Sequence, residues 1–193
     1  MRKLIVSMNV TLNGCMAGPE GELDWHYSRW DEAMARVTSL HLGEADTLLL
    51  GRITYEAMAG YWMARGSNAL GPREDADFTE MINHCAKVVF SRSRKTAYWQ
   101  NSRMARSVAK EVKALKRQHG KDILVYGSGK LVAALTQLNL VDEYRLWVHP
   151  VVIHRGRALF KTNTALQFAG KTIFNTGVVL MSYKAGLRGA DEL

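Results

Sequence analysis

Lys121-Asp122-Ile123-Leu124-Val125-Tyr126-Gly127-Ser128-Gly129-Lys130-Leu131-Val132-Ala133-Ala134-Leu135-Thr136-Gln137-Leu138-Asn139-Leu140 is the stretch that decides the fold. Ile123 to Tyr126 is an apolar run that stops at two glycines. Beyond them Leu131, Val132, Leu135 and Leu138 recur with the period of a helix. The stretch therefore predicts a strand, a tight turn and a helix that begins at the turn. Glycines there let the backbone approach a ligand closely, and the N–H groups and positive dipole end of the helix favour an anion such as a pyrophosphate. A Gly-x-Gly before a helix is also an ordinary connection, so this turn points to a nucleotide only in company.

Company is found on both sides of it. Asp46 to Leu50 predicts a strand that runs into Gly51-Arg52-Ile53-Thr54-Tyr55-Glu56, where an arginine and a threonine hydroxyl stand at a helix start. That pair can hold phosphate by charge and by hydrogen bonds, or it is a helix start with a solvated arginine. Lys87 to Phe90 predicts a third strand, ending in Ser91-Arg92-Ser93-Arg94. In an open α/β sheet such strand ends line one edge, the usual ligand side.

The remaining segments fill in a sheet with helices. Lys3 to Val10 predicts a strand that enters a long glycine-punctuated loop, Thr11 to Gly21, of the kind used either as a binding loop or as passive surface. Ser28-Arg29-Trp30-Asp31 has capping-box spacing and predicts a helix with Trp30, Ala33, Met34 and Val37 on one face. Gly60 to Asp75 reads as loop, Asp77 to His84 as a short helix, and Ser102 to Arg106 as a short strand. Ser107 caps a helix carrying Val108, Val112 and Leu115. Glu143 to Val152 alternates as a strand, and Pro150 predicts an edge position or an irregularity. Lys171 to Asn175 and Val178 to Tyr183 predict a closing hairpin. The expected class is α/β: a mixed, mostly parallel central sheet flanked by helices, with a C-terminal antiparallel β-hairpin.

Composition narrows the function classes. The chain has 193 residues, 47% hydrophobic and 23% charged, which suits one folded domain over residues 1–185 and a flexible tail over 186–193. Two cysteines, Cys15 and Cys85, and six histidines show no ligand-like spacing, so no metal is expected. No apolar run approaches the roughly 20 residues that span a bilayer, and no leader is read, so the expected location is the cytoplasm, without a membrane partner. A net charge of +8 suits polyanions in general, whether nucleic acid or a multiply phosphorylated small molecule.

Leu12-Asn13-Gly14, Ala17-Gly18-Pro19, Leu23-Asp24-Trp25, Leu50-Gly51-Arg52 with Thr54-Tyr55-Glu56, Val88 to Arg92, Val125 to Gly129, and His149-Pro150-Val151 with Leu159-Phe160 follow one another in an order that resembles the dihydrofolate-reductase-like superfamily. The chain is most similar to stand-alone relatives of the reductase domain of the bifunctional riboflavin-biosynthesis deaminase/reductase. The resemblance implies a dihydrofolate-reductase-like fold, NADPH as cofactor, and hydride transfer to a small heterocyclic or imine or carbonyl substrate, as in reduction of 5-amino-6-(5-phosphoribosylamino)uracil. By the same resemblance Gly51, Arg52 and Thr54 contact phosphates, and Ser91 and Arg92 lie near the adenosine 2′-phosphate. Gly127, Ser128, Gly129 and Lys130 then cradle the pyrophosphate, while Ala17 and its loop cover the nicotinamide. A small-molecule substrate and a homodimer are implied too, with no nucleic acid.

Two departures bear on the chemistry. Position 13, commonly acidic in these relatives, is Asn13, which has no carboxyl proton to give. The usually glycine-rich segment after Pro150 is the basic turn His154-Arg155-Gly156-Arg157, where Arg155 either holds a substrate phosphate or is solvated. Asn13 and Asp24 are the catalytic candidates. Asp31 competes as acid but is accounted for by a helix cap, and His149 by a place in a strand. Trp25, with Trp30, is a candidate to stack on a flat ring or else is core. Two other readings remain: a dihydrofolate or pterin reductase, and a non-catalytic basic protein that binds nucleotide or nucleic acid.

Overall fold

The N-terminal strand sits at the heart of the sheet. In the computed structural model, which describes residues 1–66 and 73–186, β1 (Leu4–Thr11) lies between two strands that come more than a hundred residues later, with Leu4 opposite Ile123 and Ser7 opposite Arg145. Chain order continues through β2 (Cys15–Ala17), a 3-10 helix (Asp24–Arg29), α1 (Glu32–Gly43), β3 (Ala45–Gly51), α2 (Arg52–Gly66), α3 (Arg73–His84), β4 (Ala86–Phe90) and β5 (Ser102–Ala105). It then runs through α4 (Val108–Arg117), β6 (Asp122–Val125), α5 (Gly129–Gln137), β7 (Glu143–His149), β8 (Arg157–Ala158), β9 (Leu166–Ile173) and β10 (Val179–Ala185).

Eight strands form one sheet in the order β5-β4-β3-β6-β1-β7-β10-β9. Every pair from β5 to β7 is parallel, and the closing hairpin adds β10 and β9 antiparallel. The carboxyl ends of six strands therefore share one rim. The chain first winds outward to β5 and then returns to insert β6 beside β1, the arrangement that leaves a crevice at that rim.

Alternation sorts β1 between two layers. Leu4, Val6 and Val10 join Ile123, Val125, Tyr144 and Leu146 against Val112 and Leu115 of α4 and Leu131, Val132 and Leu135 of α5. On the opposite face Ile5 and Leu124 meet Leu48, Leu50 and Val89 beneath Tyr55 and Ala59 of α2 and Ile82 of α3. Met34 of α1 packs there with Trp147 and the hairpin residues Phe174, Val178 and Leu180. Lys87 is wholly buried, its Nζ donating to the carbonyls of Asn83 at 2.8 Å and Cys85 at 2.7 Å. Desolvation lowers it to about 8 and raises the Cys85 thiol to about 11.

Several local expectations are corrected. Asp31, not Ser28, caps the first helix: its carboxylate accepts from Met34 N at 2.8 Å, and residues 24–29 close on themselves as the separate 3-10 turn. Trp30 thus precedes the helix. The expected loop at 60–75 is helical over 60–66 and 73–75, because α2 and α3 bury apolar faces on the sheet; residues 67–72 lie outside the described residues. Pro150 marks no edge, since β7 is paired on both sides and simply ends at His149. Gly186 donates its N–H to Ala165 O at 3.0 Å, and the remainder of the tail read over 186–193, residues 187–193, lies outside the described residues. The short ladder of β2 on β8 was not foreseen, because strands of three and two residues carry no periodicity.

Candidate functional site

At the rim, Gly51 N–H donates to Gly127 O at 2.9 Å, tying the turn after β3 to the turn after β6. A Cβ on Gly51 would strike Ser128 Oγ and lie 3.0 Å from Ser128 N, so this approach demands glycine. Gly127 has φ +116°, outside the reach of most side chains, and a Cβ there would meet Thr54 Oγ1 at 3.1 Å. Gly51, Thr54, Gly127 and Ser128 are thereby one continuous surface. Ser128 is the N-cap of α5 but makes no side-chain cap bond, and the first turn of that helix holds no acidic residue. Its N–H groups keep their affinity for an anion. The Met16 thioether rests against Gly129, at the start of the same helix.

Charge collects beside this surface. Arg52 Nη1 pairs with Glu56 Oε2 at 2.8 Å, and Arg94 Nη1 with Glu56 Oε1 at 2.7 Å, so one carboxylate aligns two guanidinium groups. Arg94 also donates through Nε to Thr96 O and lies over the Tyr98 ring. Ser91 Oγ accepts from Arg94 N at 2.9 Å and shapes the turn. Arg92 is exposed and makes no ion pair among the described residues, and Lys130 is exposed as well. The structure brings Arg94, part of the basic run after the third predicted strand but not among the residues singled out there, to the same carboxylate as Arg52. Glu56, one turn after Arg52, was legible as that arginine's partner; its second partner, Arg94, is 38 residues away and carries no local signal.

A hood covers the neighbouring strand ends. Asn13 Oδ1 accepts from Thr11 Oγ1 at 2.7 Å and its Nδ2 donates to Ile153 O at 3.0 Å, so the amide clips the loop after β1 to the segment after β7. Cys15 pairs with Ala158 and the buried Ala17 with Arg157, whose Nε donates to Pro19 O at 2.9 Å. Arg155 stands at the exposed tip of its turn with φ +59° and is not brought to the other site residues. Asp24 is exposed at the start of the 3-10 helix, and its charge acts on His26.

Beneath the 3-10 helix the rim changes character. His149 is wholly buried at the end of β7, and its Nε2–H donates to Asn9 Oδ1 at 2.9 Å. Trp25 stands edge-on to it with ring centroids 5.3 Å apart, and His26 at 6.0 Å. Desolvation, reinforced by His26 and Arg29, lowers His149 to about 4, which keeps the imidazole neutral. Further in, Trp147 Nε1 donates to Ser7 Oγ at 3.1 Å. Ser7, Asn9, Arg145 and His149 thus place a polar stripe on the helix-facing side of two central strands. Among the described residues no cluster of three or more His, Cys, Asp or Glu could hold a metal ion, and no helix is long and apolar enough to cross a membrane.

Comparison with known proteins identifies the family and the fold. A family model described as the RibD C-terminal domain matches residues 2–180. YyaP of Bacillus subtilis (strain 168), a protein described as uncharacterized, is 31% identical over 185 residues, 94% of each chain. The solved diaminohydroxyphosphoribosylaminopyrimidine deaminase/5-amino-6-(5-phosphoribosylamino)uracil reductase of Thermotoga maritima superposes with a TM-score of 0.67 at 15% identity, covering 96% of this chain and 57% of that one. Dihydrofolate reductase of Enterococcus faecalis, solved with NADP(H), superposes with a TM-score of 0.57 at 13% identity, covering 95% and 96%.

Proposed function

The chain belongs to the family of the RibD C-terminal domain, and from that premise we propose that it is an NADPH-dependent reductase of a small heterocyclic or imine or carbonyl substrate, of the type of the uracil derivative named for the Thermotoga maritima neighbour. The observation that carries this reading is the continuous surface of Gly51, Thr54, Gly127 and Ser128 flanked by the Arg52–Glu56–Arg94 triad. A phosphorylated dinucleotide needs both parts: bare backbone and a helix start for the pyrophosphate, and fixed guanidinium groups for an isolated phosphate. The residues fit the group.

NADPH, when bound, supplies the hydride. The protein supplies position and exclusion of water. Gly127, Ser128, Gly129 and Lys130 hold the pyrophosphate, Arg52 and Arg94 the 2′-phosphate with Arg92 at the exposed margin, and the hood bearing Ala17 shields the reacting face. Asp24, on the solvent side of His26, is the proposed source of the proton, and Trp25 the proposed wall for a flat ring. Neither Asn13 nor Arg155 is given a chemical role in this scheme.

Thermal denaturation with each nicotinamide cofactor tests the reading. NADPH should raise the melting temperature clearly more than NADH does, and Arg52→Ala should shrink that difference. Equal shifts overturn it. Cofactor oxidation with dihydrofolate as the only acceptor separates a folate reductase from the proposed activity. The proposed homodimer is checked by size-exclusion chromatography with light scattering.

A further inference from the structure

The end of the sheet opposite the rim holds a cavity of about 630 Å³, and no residue of the proposed reductase site lines it. Small-molecule sites occupy roughly 300–1,000 Å³. The cavity opens where strands begin or end away from the ligand side. Lys3 stands just before β1, Asp142 and Glu143 at the start of β7, Ala165 just before β9, and Lys184 and Ala185 at the end of the antiparallel β10. The chain leaves α5 through Asn139, whose φ of +52° ends the helix, and Leu140 N–H donates back to Leu135 O at 3.1 Å. That reversal brings Val141 in as part of the wall.

The lining is apolar apart from charges that are unequally matched. Val141 and Tyr144 are buried, and Tyr144 OH is bonded to Thr136 Oγ1 at 2.8 Å, which leaves the ring as an apolar surface. Both carboxylates already have cations of their own. Asp142 Oδ2 accepts from Leu4 N at 2.7 Å and pairs with Lys116, while Glu143 Oε1 accepts from Arg145 Nε at 2.7 Å. Arg2 borders the cavity too, but its guanidinium is spent on Asp46, on Thr47 Oγ1 at 2.8 Å and on Lys121 O at 2.6 Å. Two ammonium groups are left over. Lys184 stands opposite Glu143 in the β7–β10 ladder, exposed and without an ion pair among the described residues. Lys3, its side chain 60% exposed, reaches the same carboxylate only at 3.8 Å.

We propose that this cavity is a second binding site, for an organic anion whose apolar body lies against Val141 and Tyr144 while its anionic head meets Lys3 and Lys184. A concave wall of low polarity focuses the field of the two lysines on whatever enters. A cationic ligand would face both ammonium groups, and an uncharged one would gain nothing from them. The site lies at the far end of β1 and β7 from Asn9 and His149, so it and the rim can be filled together. The proposal is independent of the reductase reading.

The test is a fluorescence titration with 8-anilinonaphthalene-1-sulfonate, an aromatic anion, and with N-phenyl-1-naphthylamine, the same rings without the sulfonate. Three proteins are compared: wild type, the double variant Lys3→Gln with Lys184→Gln, and the double variant Lys110→Gln with Lys113→Gln. The last removes the same net charge from the exposed side of α4, away from the cavity. The anionic dye should bind wild type and the α4 variant alike, and the Lys3/Lys184 variant about tenfold more weakly. The uncharged dye should bind all three about equally and more weakly than the anion binds wild type. Saturating NADPH should leave the anionic dye in place. No binding of the anionic dye overturns the proposal, as does equal weakening in both double variants, which would report overall charge alone. Displacement of the dye by NADPH also overturns it, because the dye would then occupy the rim. In a protein that binds no NADPH the lysine dependence decides by itself, so loss of the reductase reading leaves this one to stand or fall on its own.

Discussion

The two halves of the rim are built on opposite plans. Beside β3, β6 and β4, polar groups are half-exposed and already matched: Arg52 and Arg94 share Glu56, Ser91 bonds Arg94, and Gly51 bonds Gly127. Beside β1 and β7 they are buried and only partly matched: Trp147 bonds Ser7 and His149 Nε2 bonds Asn9, but the enclosed His149 has its Nδ1 left over. Matched groups hold a shape that any ligand with the right charges can use. Buried atoms left unmatched keep the cost of their desolvation, so the second half is held together less completely than the first.

Acid should break the comparison most strongly. His149 is held to about 4 against an ordinary value of 6.5, so the unfolded chain binds the extra proton first. Stability is complete above about pH 6.5 and is lost as the pH falls toward 4, by roughly 3 kcal/mol from this residue alone. His41, also lowered to about 4 by desolvation and by Arg145, adds in the same window. Chemical denaturation between pH 7.5 and 4.5 measures the loss, and His149→Gln should flatten the curve.

On the other half, Gly51→Ala drives a methyl group into Ser128 and should cost about 2–3 kcal/mol, lowering the melting temperature by about 5–10 °C. Gly129→Ala is the sharpening control, because there the methyl meets only the flexible end of Met16. Arg94→Ala should weaken NADPH by about tenfold while leaving NADH nearly unchanged, read from cofactor titrations. Asn13→Asp gives the smallest effect. It removes the donor to Ile153 O and should lower stability by about 1 kcal/mol, a shift of about 2–4 °C.

The same contrast explains what the sequence could tell. Gly51-Arg52, Ser91 and Gly127 to Gly129 are punctuation at strand ends, and punctuation is visible without coordinates. Parallel strands buried on both faces are legible for the same reason, as apolar runs between such marks. The stripe of Ser7, Asn9, Arg145 and His149 is harder to see. Alternation in β7 suggests a solvated face, but α1 and the hairpin cover it, and only the fold reveals that this polar face is interior. Tyr126 ends the apolar run from Ile123, and nothing in that run marks its buried hydroxyl. Arg94 was hidden because its partner Glu56 is 38 residues away.

The position of β1 has a consequence for synthesis. Its neighbours are β6 and β7, and the hood that follows it is fastened by Ile153, Arg157 and Ala158. A ribosome delivers those residues long after β1, which waits unpaired until β6 has been made more than a hundred residues later. Folding is consequently slow and late, and a nascent chain halted before Ile123 exposes a sticky apolar strand that quality control must shelter.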